Sequence, residues 1–303
     1  MKAISHSISG LCLAALLACA TADTPTDTST PDVSESTEAS SPSDDTTSDT
    51  SPNESNPADD TNTETDEAST DTPTDASEFA PLFEGTYAYK RSVTTAQEVP
   101  MLGRSEIVTT SWGYTNINWY SGQIWYTEYG CHVESGGSSA VEVEIPDVIA
   151  QTIEPKAIEM RVWQDGDTIH WERPETITLL GVTLDDPIRD ELPQSPDDSR
   201  VYDQDGDDNP GVTVKVGGFI SGDLYVIQRT TNTYTGTLDE AGVLVGSIEE
   251  FGEQKIMGST NAMLEQDIPS EHLNDPALNT IELVPVDSSI TCQWLMENAD
   301  TLF

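Results

Sequence analysis

The chain predicts a mostly β protein: one antiparallel barrel or sandwich domain, carried behind a disordered acidic tether. Three observations lead there. From residue 78 to 303, polar and apolar residues alternate at period two, as in "GTYAYKRSVTT" from Gly85, "SEIVTTSW" from Ser105 and "INWYSGQIWYTEYGCHVES" from Ile117. That period sends successive side chains to opposite faces of a sheet. Turn pairs separate the runs: Ser121-Gly122, Asp165-Gly166 inside "AIEMRVWQDGDTIHWERPETITLLGV", and Ala241-Gly242 inside the run from Ser221 to Gly252. Tight hairpins need such residues for their positive φ. Only two stretches read as helix, residues 261–271, which contain Pro269, and the C-terminal "SSITCQWLMENADTLF". Long hairpins running in sequence favour a barrel over a sandwich.

The N-terminus reads "MKAISHSISGLCLAALLACATADTPTD". Lys2 supplies a short positive region, and the apolar stretch Ile8 to Ala18 is too short to span a bilayer, which takes about 20 residues. Residues 1–18 are therefore expected to be a signal peptide. "LLAC" at Leu16–Cys19 resembles the lipobox of bacterial lipoproteins. The resemblance implies cleavage before Cys19, lipidation of Cys19, and a membrane partner reached through the acyl chains. Ala20 follows the cysteine, so the Asp signal for retention at the inner membrane is missing. An exported protein anchored at the outer membrane or cell surface is the expectation.

Residues 19–77 form the lipidated terminus and a linker of Thr, Ser, Asp, Glu, Pro and Ala, and from residue 20 on they hold no aromatic, Lys or Arg. Such a segment cannot bury enough apolar surface to offset its ordering entropy. As a coil it spans roughly 40 Å, and like-charge repulsion extends it. The whole chain carries 55 acidic and 12 basic residues, a formal charge of -43. With 16 acidic residues and one basic residue before position 78, the domain keeps 39 against 11. This balance repels nucleic acid and anionic lipid surfaces, so nucleic-acid binding is excluded. It suits divalent cations, cationic partners or a saline medium.

The domain 78–303 is long enough for one sizeable core. "FEGTYAY" at Phe83–Tyr89 resembles the Gly-x-Trp entry strand of lipocalins and other calycins, with Tyr87 in place of the tryptophan. That resemblance implies a barrel whose interior carries a small apolar ligand. Cys12 and Cys19 belong to the leader and the lipid site, which leaves Cys131 and Cys292 as one disulfide in an exported chain. A free Cys131 beside His132 is the catalytic alternative.

"DQDGDDNPG" packs Asp203, Asp205, Asp207, Asp208 and Asn209 into seven positions. Alternate carboxylates around Gly206 present hard oxygen ligands to one centre, the chemistry of Ca²⁺. The stretch resembles the first half of the DxDxDG loops of EF-hands, dockerins and thrombospondin type 3 repeats. It departs from them at Asp208, where an EF-hand has glycine, and at Val214, where it has glutamate. The expected ligands are Asp203, Asp205, Asp207 and Asn209, completed from elsewhere by residues such as Asp197 or Asp198. The competing reading is an acidic turn in which Asp-Gly and Asn-Pro-Gly are ordinary turn residues.

Nucleophile motifs, phosphate loops and zinc signatures are missing from the sequence. His170 and Glu172 alternate on one strand face, as an outward polar pair or as a metal or proton site. Seven aromatics fall within eighteen residues, from Trp112 to Tyr129. Of these, Trp112, Trp119 and Trp125 form a candidate ligand platform for a glycan, peptide or cationic partner, if they face outward. The expected function is a non-catalytic cell-envelope module for binding or structure, stabilised by Ca²⁺. An envelope hydrolase acting on glycans and a calycin-like carrier are the alternatives.

Overall fold

A computed structural model describes residues 76–99, 103–136, 141–218, 221–265 and 270–303. The expected signal peptide (1–18), Cys19 and nearly all of the expected linker lie outside the described residues. Eleven strands run in chain order: β1 (Gly85–Val99), β2 (Gly103–Tyr120), β3 (Gln123–Gly136), β4 (Val141–Glu144), β5 (Ala157–Asp165), β6 (Thr168–Leu180), β7 (Val212–Gly218), β8 (Gly222–Leu238), β9 (Leu244–Ser259), β10 (Ser270–His272) and β11 (Thr280–Val286). Three short helices accompany them: α1 (Ala80–Phe83), α2 (Asp147–Gln151) and α3 (Cys292–Leu302).

The strand pairings form a closed circuit. β1 pairs with β2, β2 with β3, β3 with β5, β5 with β6, β6 with β8, β8 with β9, β9 with β11, and β11 returns to β1, every step antiparallel. The barrel form expected from the long hairpins is thus the one adopted. Hairpin-linked strands of high β propensity pair with their sequence neighbours, and closure removes the open edges. The outward positions of β9 hold Glu249, Glu253 and Lys255 together with the exposed Val245 and Phe251.

The barrel has two tiers on one side. Near one end β5 and β6 fill the wall between β3 and β8. Toward the other end the pairings run from β3 through β4 and β7 to β8. The chain between the tiers contains α2 and the long loop 181–211. Gly130 of β3 accommodates α2, because a Cβ there would sit 2.8 Å from the Ala150 carbonyl. Gly113 serves the interior in the same way, since a Cβ would fall 2.5 Å from the Tyr89 ring.

Inward parity fixes the core. Tyr87, Tyr89, Ile117, Ile124, Tyr126, Met160, Trp171, Tyr234, Leu244, Ile248, Ile281 and Leu283 fill one end of the lumen, closed by Phe79 and Phe83 of the α1 segment. A second cluster gathers Ile145 and Ile149 with Val212, Val214, Val216 and Leu224 of the other tier. Outside the barrel, Cys131 is the extra residue of a bulge in β3, where Gly113 faces Gly130 but Trp112 faces His132. It bonds to Cys292 across 161 residues of sequence, as expected. The disulfide holds α3 on the outer face, where Leu295 is fully buried with Ala88 and Cys131. A loop of that length is worth up to about 5 kcal/mol by chain entropy.

The C-terminal helix agrees with the sequence expectation. Residues 261–271 do not form the expected helix: a 3-10 turn spans Ala262–Leu264 and β10 begins at Ser270, while 266–269 lie outside the described residues. Pro269 lacks the N–H a helix needs there, and pairing of β10 with β1 takes the rest.

Candidate functional site

The acidic loop is a network of its own. The Asp203 carboxylate accepts N–H bonds from Gly206 (2.7 Å), Asp207 (3.2 Å) and Asp208 (2.9 Å). Asp207 accepts from the Asn209 N–H at 2.9 Å and the Thr213 hydroxyl at 2.6 Å, and Asp205 accepts the Thr213 N–H at 2.8 Å. Gly206 and Asp208 make the bend with φ of 78° and 69°. These donors explain how the like charges stand together. Carboxylate oxygens of Asp203, Asp205 and Asp207 lie within 4.8 Å of one another. One acceptor remains: Asp205 Oδ1 is buried without a hydrogen-bond partner. Burial, with Asp207 and Asp203 nearby, pushes the Asp205 carboxyl up despite its bond from Thr213. At Asp207 burial acts the same way but the Thr213 and Asn209 bonds outweigh it, and the carboxyl falls below its ordinary range. Asn209 turns its amide toward the Asp207 carbonyl at 3.4 Å. Asp198 is engaged by Arg200 at 2.8 Å, which brings its carboxyl to about 2.

The three tryptophans are not brought to one face. Trp112 and Trp125 have outward parity and Trp119 inward, packed against the end of the core. Trp112 lies beside α3 and faces His132 at 5.6 Å, while Trp125 donates to the Tyr120 carbonyl at 3.3 Å. His170 and Glu172 stand outward on β6 as a polar pair. His170 stacks on Trp163 at 5.4 Å and Glu172 pairs with Arg161 at 3.0 Å.

The strongest constellation is one that the sequence reading missed. Arg91, Glu128, Arg173, Asn232 and Glu250 all point into the barrel and line a cavity of about 430 Å³. Arg91 Nη1 donates to Glu128 at 3.1 Å and to the Tyr234 hydroxyl, and the Tyr126 hydroxyl donates to Glu128 at 3.0 Å. Arg173 lies 3.6 Å over the Tyr234 ring and donates to the Asn232 side chain at 2.5 Å and carbonyl at 3.1 Å. Asn232 in turn donates to Glu250 at 3.3 Å. Burial raises the Tyr89, Tyr126 and Tyr234 hydroxyls above their ordinary range, so they remain neutral. At Arg91 burial is outweighed by Tyr234 and Glu128, and its charge is secured. Farther along the lumen, Gln254 at both amide atoms, Gln228 Oε1, Thr95 Oγ1 and both nitrogens of His272 are buried without partners.

The cavity reaches the surface between the tiers, past the exposed Glu154, Lys156 and Tyr202. Gln204, inside the acidic loop, borders this mouth and donates to Thr152 at 3.3 Å. The signal for the lumen lay in parity: Arg91 shares that of Tyr87, Tyr89 and Val93, and Glu128 that of Ile124 and Tyr126. No protein family, curated protein or solved structure matches the chain.

His132 fastens α2 beside the mouth. Its Nδ1 lies 2.6 Å from Asp147, the first residue of α2, and its Nε2 lies 3.3 Å from Glu134. Burial lowers its pKa, but the bonds to Asp147 and Glu134 outweigh this and leave it raised. A raised folded pKa means stability that is complete below the unfolded value of about 6.5 and lost as pH rises through the folded one. Urea unfolding between pH 5.5 and 8.5 is expected to show a loss of about 1 kcal/mol or less, and His132→Gln to abolish that component. An unchanged profile in the variant counts against the latch.

Proposed function

We propose that this chain is an exported, lipid-anchored cell-envelope protein that binds a small ligand inside its barrel, with Ca²⁺ ordering the loop at the mouth. One observation carries the binding reading: Arg91 and Glu128 each keep 21% of their side-chain surface accessible although both point into the lumen. Removing an ion pair from bulk water is costly, and a barrel that only needed filling gains more from apolar side chains. An eight-strand circuit is wide enough to hold one small ligand, and a cavity of about 430 Å³ is of ligand-site size. The charged wall favours a polar cargo over the apolar one implied by the calycin resemblance. Both Glu128 oxygens already accept bonds, and Glu250 accepts from Asn232. This favours a binding platform over an acid and base pair.

A screen of amino acids, sugars, fatty acids and nucleosides by thermal shift tests the lumen. At least one class is expected to raise the melting temperature of the full-length chain, and filling the cavity with Thr230→Trp or Ser111→Phe is expected to cancel the effect. Binding that survives both fillings moves the site elsewhere.

The anchor reading rests on Leu16–Cys19 and predicts that Cys19→Ser shifts the protein from the membrane fraction to the soluble one. Persistence in the membrane fraction overturns it.

For Ca²⁺, the support is hard oxygen donors within reach of each other and the partnerless Asp205 Oδ1. After EDTA, Ca²⁺ at one hundred times its dissociation constant stabilises by about 2.7 kcal/mol, roughly 5–10 °C for a domain of this size. Mg²⁺ is expected to do much less, and Asp203→Asn with Asp205→Asn to remove the rise. Equal shifts with Mg²⁺ or simple salt leave only a solvated turn.

A further inference from the structure

The geometry points to the chemical class of the ligand: a small zwitterion with an apolar side chain, of which an α-amino acid such as leucine is the simplest member. The inference rests on the lumen reading above. Its first support is charge. Arg91 and Arg173 balance Glu128 and Glu250 in one cavity, within a chain of net charge -43. A ligand of net charge entering this enclosed space leaves a charge uncompensated, whereas a zwitterion brings a partner for each sign.

The second support is which polar groups are open. Arg91 uses Nη1 for Glu128 and Tyr234, and its Nε and Nη2 have no hydrogen-bond partner among the described residues. A guanidinium edge with free N–H groups matches a carboxylate in two-point geometry. Glu128 holds one donor on each oxygen and keeps lone pairs for an ammonium. Arg173, only 2% exposed, is sealed, so it positions Asn232 and Tyr234 and is not itself a contact.

The third support is the rest of the wall, where Val133, Ile145, Ile149, Ile153, Ile158 and Leu180 line the same cavity. These suit a branched aliphatic side chain. A fatty acid leaves Glu128 without an added partner. Deep in the lumen Tyr89 and Tyr234 are at most 1% exposed and offer a sugar no stacking face, and the accessible ring of Tyr202 stands at the mouth, away from Arg91 and Glu128 in sequence and strand.

Calorimetric titration of the full-length chain tests this with L-leucine, 4-methylpentanoate, which lacks the ammonium, and 3-methylbutan-1-amine, which lacks the carboxylate. Leucine is expected to bind saturably and each truncated analogue at least tenfold more weakly. Arg91→Lys keeps the charge but loses the fork, and is expected to weaken leucine at least tenfold while the weak binding of the amine is unchanged. The analogue series on the unmodified chain stands even where the variant fails to fold. Equal affinity for leucine and either analogue, or a sugar or fatty acid bound in preference, overturns the zwitterion. If that preferred compound is displaced by Thr230→Trp or Ser111→Phe, the lumen reading survives. If no class binds, or binding ignores the filled lumen, both readings fall.

Discussion

The pairing of β11 with β1 is the constraint on which the rest of the molecule depends. Seven residue pairs, from Thr86 opposite Val286 to Ser92 opposite Thr280, join the last strand to the first. Without them the sheet has two long edges, open to pairing with other chains. With them, every alternate side chain of the circuit faces an enclosed space. Closure therefore creates an inside, and each inward residue must either fill it, satisfy another inward group or meet something that enters.

The lumen divides along those lines. One end is filled by aromatics and aliphatics beneath Phe79 and Phe83. The middle is polar, and part of that polarity is structural. β6 bulges between Arg173 and Thr176, where Pro174 can donate nothing to the ladder. Arg173 spans the irregularity, donating to the Pro174 carbonyl at 3.1 Å, to the Thr176 hydroxyl and to Asn232 on β8. Its cation rests on Tyr234, whose hydroxyl also accepts from Arg91. Arg91 and Glu128 do not repair a bulge, and they keep accessible surface. That difference separates the scaffold from the proposed binding surface.

Much of this fold was legible in the chain. Period-two alternation and the turn pairs at Ser121, Asp165 and Ala241 mark the long hairpins, and two remaining cysteines give the disulfide. What was not legible is the sign of the alternation. In "GTYAYKRSVTT" both parities carry tyrosine-sized or apolar residues, because α3 covers Ala88 from outside while Tyr87 and Tyr89 are buried from inside. Arg91 therefore carries no local mark of its inward position, and Trp119 reads as a platform candidate. The bulges at Gly113 and Arg173 add a second obstacle, since each shifts register without a marker that one sequence displays. The acidic loop was conspicuous for the opposite reason. Its composition is local, so the network of Asp203, Asp207 and Thr213 follows from neighbours within eleven residues.

The loop and the lumen meet at Gln204. Its side chain stands between Asp203 and Asp205 in sequence, accepts from the Gly181 N–H at 2.6 Å and borders the mouth with Tyr202. The Asp205 carboxylate is tied to Thr213, at the start of β7 on the far side of the same loop. The Thr213 bonds to Asp205 and Asp207 already join this segment to β7, and the proposed cation would add its charge to the same three carboxylates beside Gln204 and Tyr202. By the reciprocity of linked equilibria, a ligand that favours the ordered mouth tightens the cation to the same degree. The acidic loop thus stands beside the entrance to a lumen in which Arg91 and Arg173 face Glu128 and Glu250.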